Sequence, residues 1–179
     1  MITSREFYTD TPAVFRSILH EQILKHLPTQ VLYRDKHNPH YKTQAQHFVE
    51  VCNQFMDVKS FIHQDVDLAC ELAADGVHLT STQFDKIQYA KSKRLEVIIS
   101  THTLEEVREA QDLGADAVTY SPIFSSPNKG EPKGVEDLKK VVESVDINVF
   151  ALGGITTQKE IKKIEKSGVY GFASIRYFY

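Results

Sequence analysis

Short apolar runs rich in β-branched residues recur along the chain and alternate with stretches of helical periodicity. The runs predict strands at Glu6–Thr9, Gln30–Tyr33, Lys59–Ile62, Gly76–Leu79, Glu96–Ser100, Ala117–Tyr120, Asn148–Leu152 and Gly171–Ile175. Several of them, notably VIIS, AVTY and NVFAL, are apolar on successive positions rather than alternate ones. That pattern belongs to parallel strands covered on both faces. Between them the spacing predicts helices over Thr11–Lys25, Tyr41–Phe55, Thr82–Lys91, Leu104–Leu113, Val135–Ser144 and Thr157–Lys166. Strand and helix in regular alternation make a βα ladder.

An internal repeat supports the ladder. Ala73-Ala74-Asp75-Gly76-Val77, Gly114-Ala115-Asp116-Ala117-Val118 and Gly168-Val169-Tyr170-Gly171-Phe172 each follow a helix and open a strand. The small residue ends the helix and the next residues enter the sheet. Their separations span two βα units each, at roughly 20–27 residues per unit, a tight period that suits a closed barrel. The expected architecture is a compact (β/α)8 TIM barrel lacking a full last helix, because only RYFY follows the eighth run. A doubly wound open sheet is the second choice, without a GxGxxG fingerprint after the first strand.

With 179 residues, 41% of them apolar, the chain is sized for a single barrel domain over 1–179. Lys and Arg number 21 against 24 Asp and Glu, so no general basic field exists to hold a nucleic acid or an anionic membrane. The longest apolar runs, Leu95–Ser100 and Val145–Ile155, fall far short of a membrane span. MITSREFYTD has no signal-peptide apolar stretch, so a cytoplasmic location is expected. Cys52 and Cys70 lack CxxC spacing and read as buried thiols. A small-molecule ligand is the remaining class of partner.

In a barrel, reactive groups lie just past the C-terminal ends of the strands. After the second run, Arg34 and Lys36 form a cationic pair at alternate positions, suited to clamping a phosphate. After the third come His63 and Gln64, then Asp65 as an N-cap. His78 lies inside a strand and reads as interior. After the fifth, Ser100 and His102 precede a capping box of Thr103 with Glu106, with no acid placed for a hydrolase triad. Residues 121–134 form the longest irregular stretch, of the kind that closes over ligands. Gly153 and Gly154 then lead into a helix and would let backbone N–H groups approach a phosphate. Arg176, after Ile175, adds charge at the place where barrels often hold a phosphate.

The ordered set GVHL, STHTLEEVREAQDLGADAV, SPIFSSPNKG and FALGGIT, with YTD at 8–10 and VLYRDK at 31–36, resembles the thiamine phosphate synthase and TenI family. The resemblance covers nearly the whole chain and implies a (β/α)8 barrel. It also implies a transferase of thiamine biosynthesis that joins hydroxymethylpyrimidine diphosphate to thiazole phosphate, releasing diphosphate with Mg²⁺. On that likeness Arg34 and Lys36 hold the pyrimidine diphosphate, with His63 and Gln64 beside it. Ser126, Asn128 and Lys129 stand on the diphosphate loop, and Ser100 lies near the reacting carbon. Gly153, Gly154, Ile175 and Arg176 then surround the thiazole phosphate. Small homo-oligomers are implied too, and the tail Tyr177-Phe178-Tyr179 reads either as barrel filling or as a subunit contact.

The departures are specific. Leu32 stands where the family has a glutamine, His63-Gln64 where it has Asn-Asp, and Thr80-Ser81-Thr82-Gln83 where it has a GlyGln-x-Asp run. Both aspartates expected to bind Mg²⁺ are therefore amides, Gln64 and Gln83, and an amide oxygen holds a hard cation poorly. Asp65 or Asp85 is the substitute nearest in sequence. Arg176 replaces an expected serine, and Pro122 occupies the place of a histidine in the tautomerising TenI branch. Three readings follow: a thiamine phosphate synthase-like enzyme, a catalytically degenerate phosphate-binding or regulatory relative, and a barrel enzyme acting on another small phosphate ester.

Overall fold

The computed structural model describes residues 1–179 apart from Lys36 and Asn128. Its centre is a parallel sheet in simple sequence order, comprising β1 (Gln30–Tyr33), β2 (Lys59–His63), β3 (Gly76–Leu79), β4 (Glu96–Thr101), β5 (Ala117–Tyr120), β6 (Asn148–Leu152) and β7 (Gly171–Ala173). The helices are α1 (Arg5–Tyr8), α2 (Pro12–His26), α3 (Tyr41–Cys52), α4 (Val66–Glu71), α5 (Ile87–Ser92), α6 (Leu104–Asp112), α7 (Gly134–Glu143) and α8 (Gln158–Glu165). The result is an α/β fold of the TIM-barrel type with seven strands among the described residues.

The strand expected at Glu6–Thr9 is instead α1, which buries Tyr8. The eighth stave comes from farther upstream. Ile2 pairs with Leu32 as a parallel bridge, and its N–H donates to the Ser174 carbonyl at 3.0 Å. The Thr3 N–H donates to the Leu32 carbonyl and the Leu32 N–H to that of Met1, both at 2.9 Å. Residues 1–3 thus bond to both open edges of the curled sheet. A segment this short has too few residues for any periodicity to show.

Apolar positions on the strands divide between two layers. Leu32, Phe61, Ile98, Ala117 and Phe150 point with Ile2 into the lumen. Their neighbours Val31, Tyr33, Ile62, Val97, Ile99, Val118, Val149 and Ala151 pack outward against the helices. This two-sided burial is the physical cause of the unbroken apolar runs. Polar side chains enter the lumen as well: His78 on β3 and Thr119 on β5 are both buried, with Thr119 Oγ1 3.5 Å from His78 Nε2.

The first residues of the three repeats, Ala73, Gly114 and Gly168, all adopt positive φ, at 52°, 84° and 73°. In two of them the aspartate then ties down the neighbouring strand. Asp75 accepts from the Ser60 N–H and Asp116 from the Val97 N–H, each at 2.7 Å.

After β7 only a 3-10 turn, Arg176–Phe178, follows. The aromatic tail packs on its own barrel. Phe178 is buried and stacked on Phe172 at 5.6 Å, and Tyr179 lies against Phe7 at 4.4 Å. Cys52 is buried as expected, but Cys70 is exposed because it sits on the outward face of α4. None of the described helices is long and apolar enough to cross a membrane.

Candidate functional site

A cleft of about 380 Å³ opens at the C-terminal ends of the strands. Arg34, His63, Ser100, Ser126, Lys129, Gly153, Gly154, Ile175 and Arg176, each singled out in the sequence, all line it. Lys36 and Asn128, the other members of that set, lie outside the described residues. Gln64 is the one that turns away, lining a neighbouring polar cleft.

Each cation reaches the cleft from a different loop. Arg34 follows β1, and its N–H donates to the Thr3 hydroxyl at 3.0 Å, so the closing segment fixes the start of that loop. Lys129 stands on the stretch after β5, where its N–H donates to the Ser126 carbonyl at 3.3 Å. Arg176 begins the turn after β7. Among the described residues none of these three has an ion-pair partner. No described carboxylate lines the cleft. Burial alone lowers the pKa of the half-buried Arg34 guanidinium. An unpaired, partly desolvated guanidinium is a poised anion ligand, because an entering phosphate restores the charge interactions lost with water.

The glycine pair owes its identity to packing. Gly153 and Gly154 have φ of 99° and 69°. A Cβ on Gly153 would lie 2.9 Å from Pro122 Cα, and one on Gly154 only 2.6 Å from Phe124 Cβ and the Ser125 carbonyl. The chain after β5 lies directly on them: the Ile123 N–H donates to the Leu152 carbonyl and the Phe124 N–H to that of Gly153, both at 3.0 Å. At the far end of that stretch the Lys133 N–H returns to the Pro122 carbonyl and that of Gly134 to Ile123. The stretch that reads as a loose loop is therefore anchored at both ends.

Hydroxyl groups fill much of the remaining wall, from Thr80, Ser81, Ser121, Thr156 and Ser174. Ser174 was not singled out in the sequence, yet it is a joint: its Oγ donates to the Ile155 carbonyl at 2.7 Å and accepts from the Tyr177 N–H at 3.2 Å. His102 Nδ1 donates to the Ser121 carbonyl at 2.9 Å, so in the neutral ring Nε2 carries the lone pair. His63 lies 5.6 Å from His78, ring to ring. Burial, with the Arg34 charge adding to it, lowers the His78 pKa to about 4.

The capping groups fall as expected for Asp65, whose Oδ1 accepts from the Leu68 N–H. Thr103 likewise accepts from the Glu106 N–H at 3.1 Å, but the Glu106 carboxylate returns to the His102 N–H rather than closing a box on Thr103. A full capping box occurs instead at Thr157 and Glu160 on α8.

The two amides at the expected Mg²⁺ positions do not fit a divalent cation. Gln83 Oε1 accepts from both the N–H and the hydroxyl of Thr80, each at 3.1 Å, and its Nε2 donates to the Gln64 carbonyl at 3.2 Å. That side chain pins the turn after β3 to the turn after β2. Asp65 lines the neighbouring cleft, and Asp85, exposed on a 3-10 turn, lines neither.

Fold and cleft together define an α/β barrel that presents an anion-receptive cavity at the C-terminal ends of its strands. The family described as thiamine monophosphate synthase (TMP-TENI) matches residues 7–178. The chain is 42% identical over 120 residues to the "Putative thiamine-phosphate synthase 2" of Aquifex aeolicus, covering 65% of this chain and 64% of that protein. It is 35% identical over 136 residues to the thiamine-phosphate synthase of Caldivirga maquilingensis, covering 74% of this chain and 65% of that protein. The solved thiamine phosphate pyrophosphorylase from Pyrococcus furiosus superposes with a TM-score of 0.81 at 29% identity, over 97% of this chain and 83% of that one. The chain belongs to the thiamine monophosphate synthase (TMP-TENI) family. It spans just under two thirds of the length of the two curated relatives named here.

Proposed function

We propose that the protein is a thiamine-phosphate-synthase-type transferase, joining hydroxymethylpyrimidine diphosphate to thiazole phosphate with release of diphosphate. The observation that supports this most is the one-signed cleft: Arg34, Lys129 and Arg176, unpaired among the described residues, and no described carboxylate, in a chain of net charge −3. Two phosphorylated substrates need cations at two places. Arg34 follows β1, Lys129 follows β5 and Arg176 follows β7, so the three cations enter the cleft from separate strand ends.

In this reading the bond between the pyrimidine methylene carbon and the diphosphate oxygen breaks, and its electron pair leaves with the diphosphate. The thiazole nitrogen supplies its lone pair to that carbon, forming the C–N bond and a thiazolium. Negative charge grows on the leaving oxygen, where Arg34, Lys129 and, from the sequence, Lys36 stabilise it. Ser100 lines the same cleft and, by the family likeness, would lie near the reacting carbon. Lys129 is exposed, so its truncation leaves the fold intact. Lys129→Ala is expected to lower turnover of purified protein by about a hundredfold, and unchanged turnover contradicts the assignment.

A binding-only role draws support from one observation, the amides at 64 and 83. It predicts stabilisation of the fold by thiazole phosphate with no product formed from the pair of substrates.

A further inference from the structure

We infer that the cleft meets the charge of its phosphorylated ligand with protein cations alone and takes no divalent metal. The inference rests on the phosphate-binding reading above and adds to it how that charge is neutralised.

The amide oxygens at the expected metal positions are either engaged or turned away. Gln83 Oε1 already accepts twice from Thr80, and its amide nitrogen is held by the Gln64 carbonyl. Freeing that oxygen for a cation gives up both bonds from Thr80 that hold the turn after β3. Gln64 lines the neighbouring cleft instead. Neither amide brings negative charge, which a hard, reluctantly dehydrated cation such as Mg²⁺ requires of its protein ligands.

The nearby carboxylates lie outside the cationic cleft. Asp35, Asp65 and Asp67 line the adjacent cleft together with Lys86, and none of them reaches the cationic one. Each already accepts a hydrogen bond: Asp65 from the Leu68 N–H, Asp67 from the Tyr89 hydroxyl, and Asp35 from the His37 N–H at 3.4 Å. Among the described residues no three His, Cys, Asp or Glu side chains gather as a metal centre.

Positive charge in the cleft is in surplus. Arg176 adds a guanidinium where the resemblance places a serine, and Arg34 and Lys129 stand unpaired among the described residues. A divalent cation entering this cavity would meet three unpaired cations and, among the described residues, no anionic protein ligand. A bidentate guanidinium meets the same phosphate oxygens with charge and directed hydrogen bonds together.

The test is isothermal titration with inorganic pyrophosphate, in EDTA and in excess Mg²⁺. Affinity in EDTA is expected to equal or exceed that in Mg²⁺, within about threefold, and Arg34→Ala or Lys129→Ala is expected to weaken it about tenfold or more in EDTA. Lys129 is exposed, so that variant stays informative if the Arg34 substitution fails to fold. Binding at least about tenfold tighter with Mg²⁺ overturns the inference and leaves the phosphate-binding reading standing. Absence of binding in both buffers overturns that reading itself.

Discussion

Gly154 shows how tightly single residues constrain the cleft wall. Its φ of 69° and the 2.6 Å approach of a Cβ to Phe124 and the Ser125 carbonyl leave no room for a methyl group. Gly154→Ala is expected to cost about 2–3 kcal/mol in urea unfolding, and a loss below about 0.5 kcal/mol contradicts the packing described. The opposite case is Ala73, an exposed alanine held at φ 52° where the other two repeats have glycine. Ala73→Gly is expected to stabilise by about 0.5–1 kcal/mol, since relief of left-handed strain outweighs the added chain entropy; a net loss contradicts it. The glycine pair was visible in the sequence as a feature of the cleft. The reason for it was not, because the loop that lies on Gly153 and Gly154 is joined to them only by the fold. Gln83 was equally visible as an absent carboxylate, while its bond to the Gln64 carbonyl depends on two turns meeting.

At the scale of elements, strands were legible wherever burial on both faces produced an unbroken apolar run. Gln30–Tyr33, Gly76–Leu79, Ala117–Tyr120 and Asn148–Leu152 have the boundaries that the pattern predicts. The pattern failed at the beginning, where the short run Glu6–Thr9 reads as a strand but coils into α1, and where the stave formed by residues 1–3 is too short to show a period. It also passed over α4, six residues whose start is marked only by Asp65. One element carries a pH-dependent liability. His78 on β3 is buried in the lumen with its pKa lowered to about 4. The unfolded chain takes up that proton near the ordinary histidine value and the folded chain only near 4. Stability is therefore full above the ordinary value, falls as pH drops through that window, and levels off below it. Unfolding free energy is expected to drop by about 1–3 kcal/mol between pH 7 and pH 4.5, and His78→Asn is expected to flatten that dependence. An equal slope in the variant contradicts the assignment to His78.

For the whole molecule, the chain is acidic overall while its cleft is basic, so the positive charge of the cleft comes from placement rather than from net charge. Arg34, Lys129 and Arg176 are separated by up to 142 positions in sequence and come together because each follows a strand of one parallel barrel. That convergence was legible once the ladder was, since every strand delivers its C-terminal end to the same face. The measurement that bears most directly on the proposed chemistry is a paired count of products from purified protein given hydroxymethylpyrimidine diphosphate, with and without thiazole phosphate. Condensation predicts thiamine phosphate and pyrophosphate in equal amounts, and no pyrophosphate when thiazole phosphate is left out. Pyrophosphate released without thiazole phosphate, or no product from protein that binds both compounds, contradicts it.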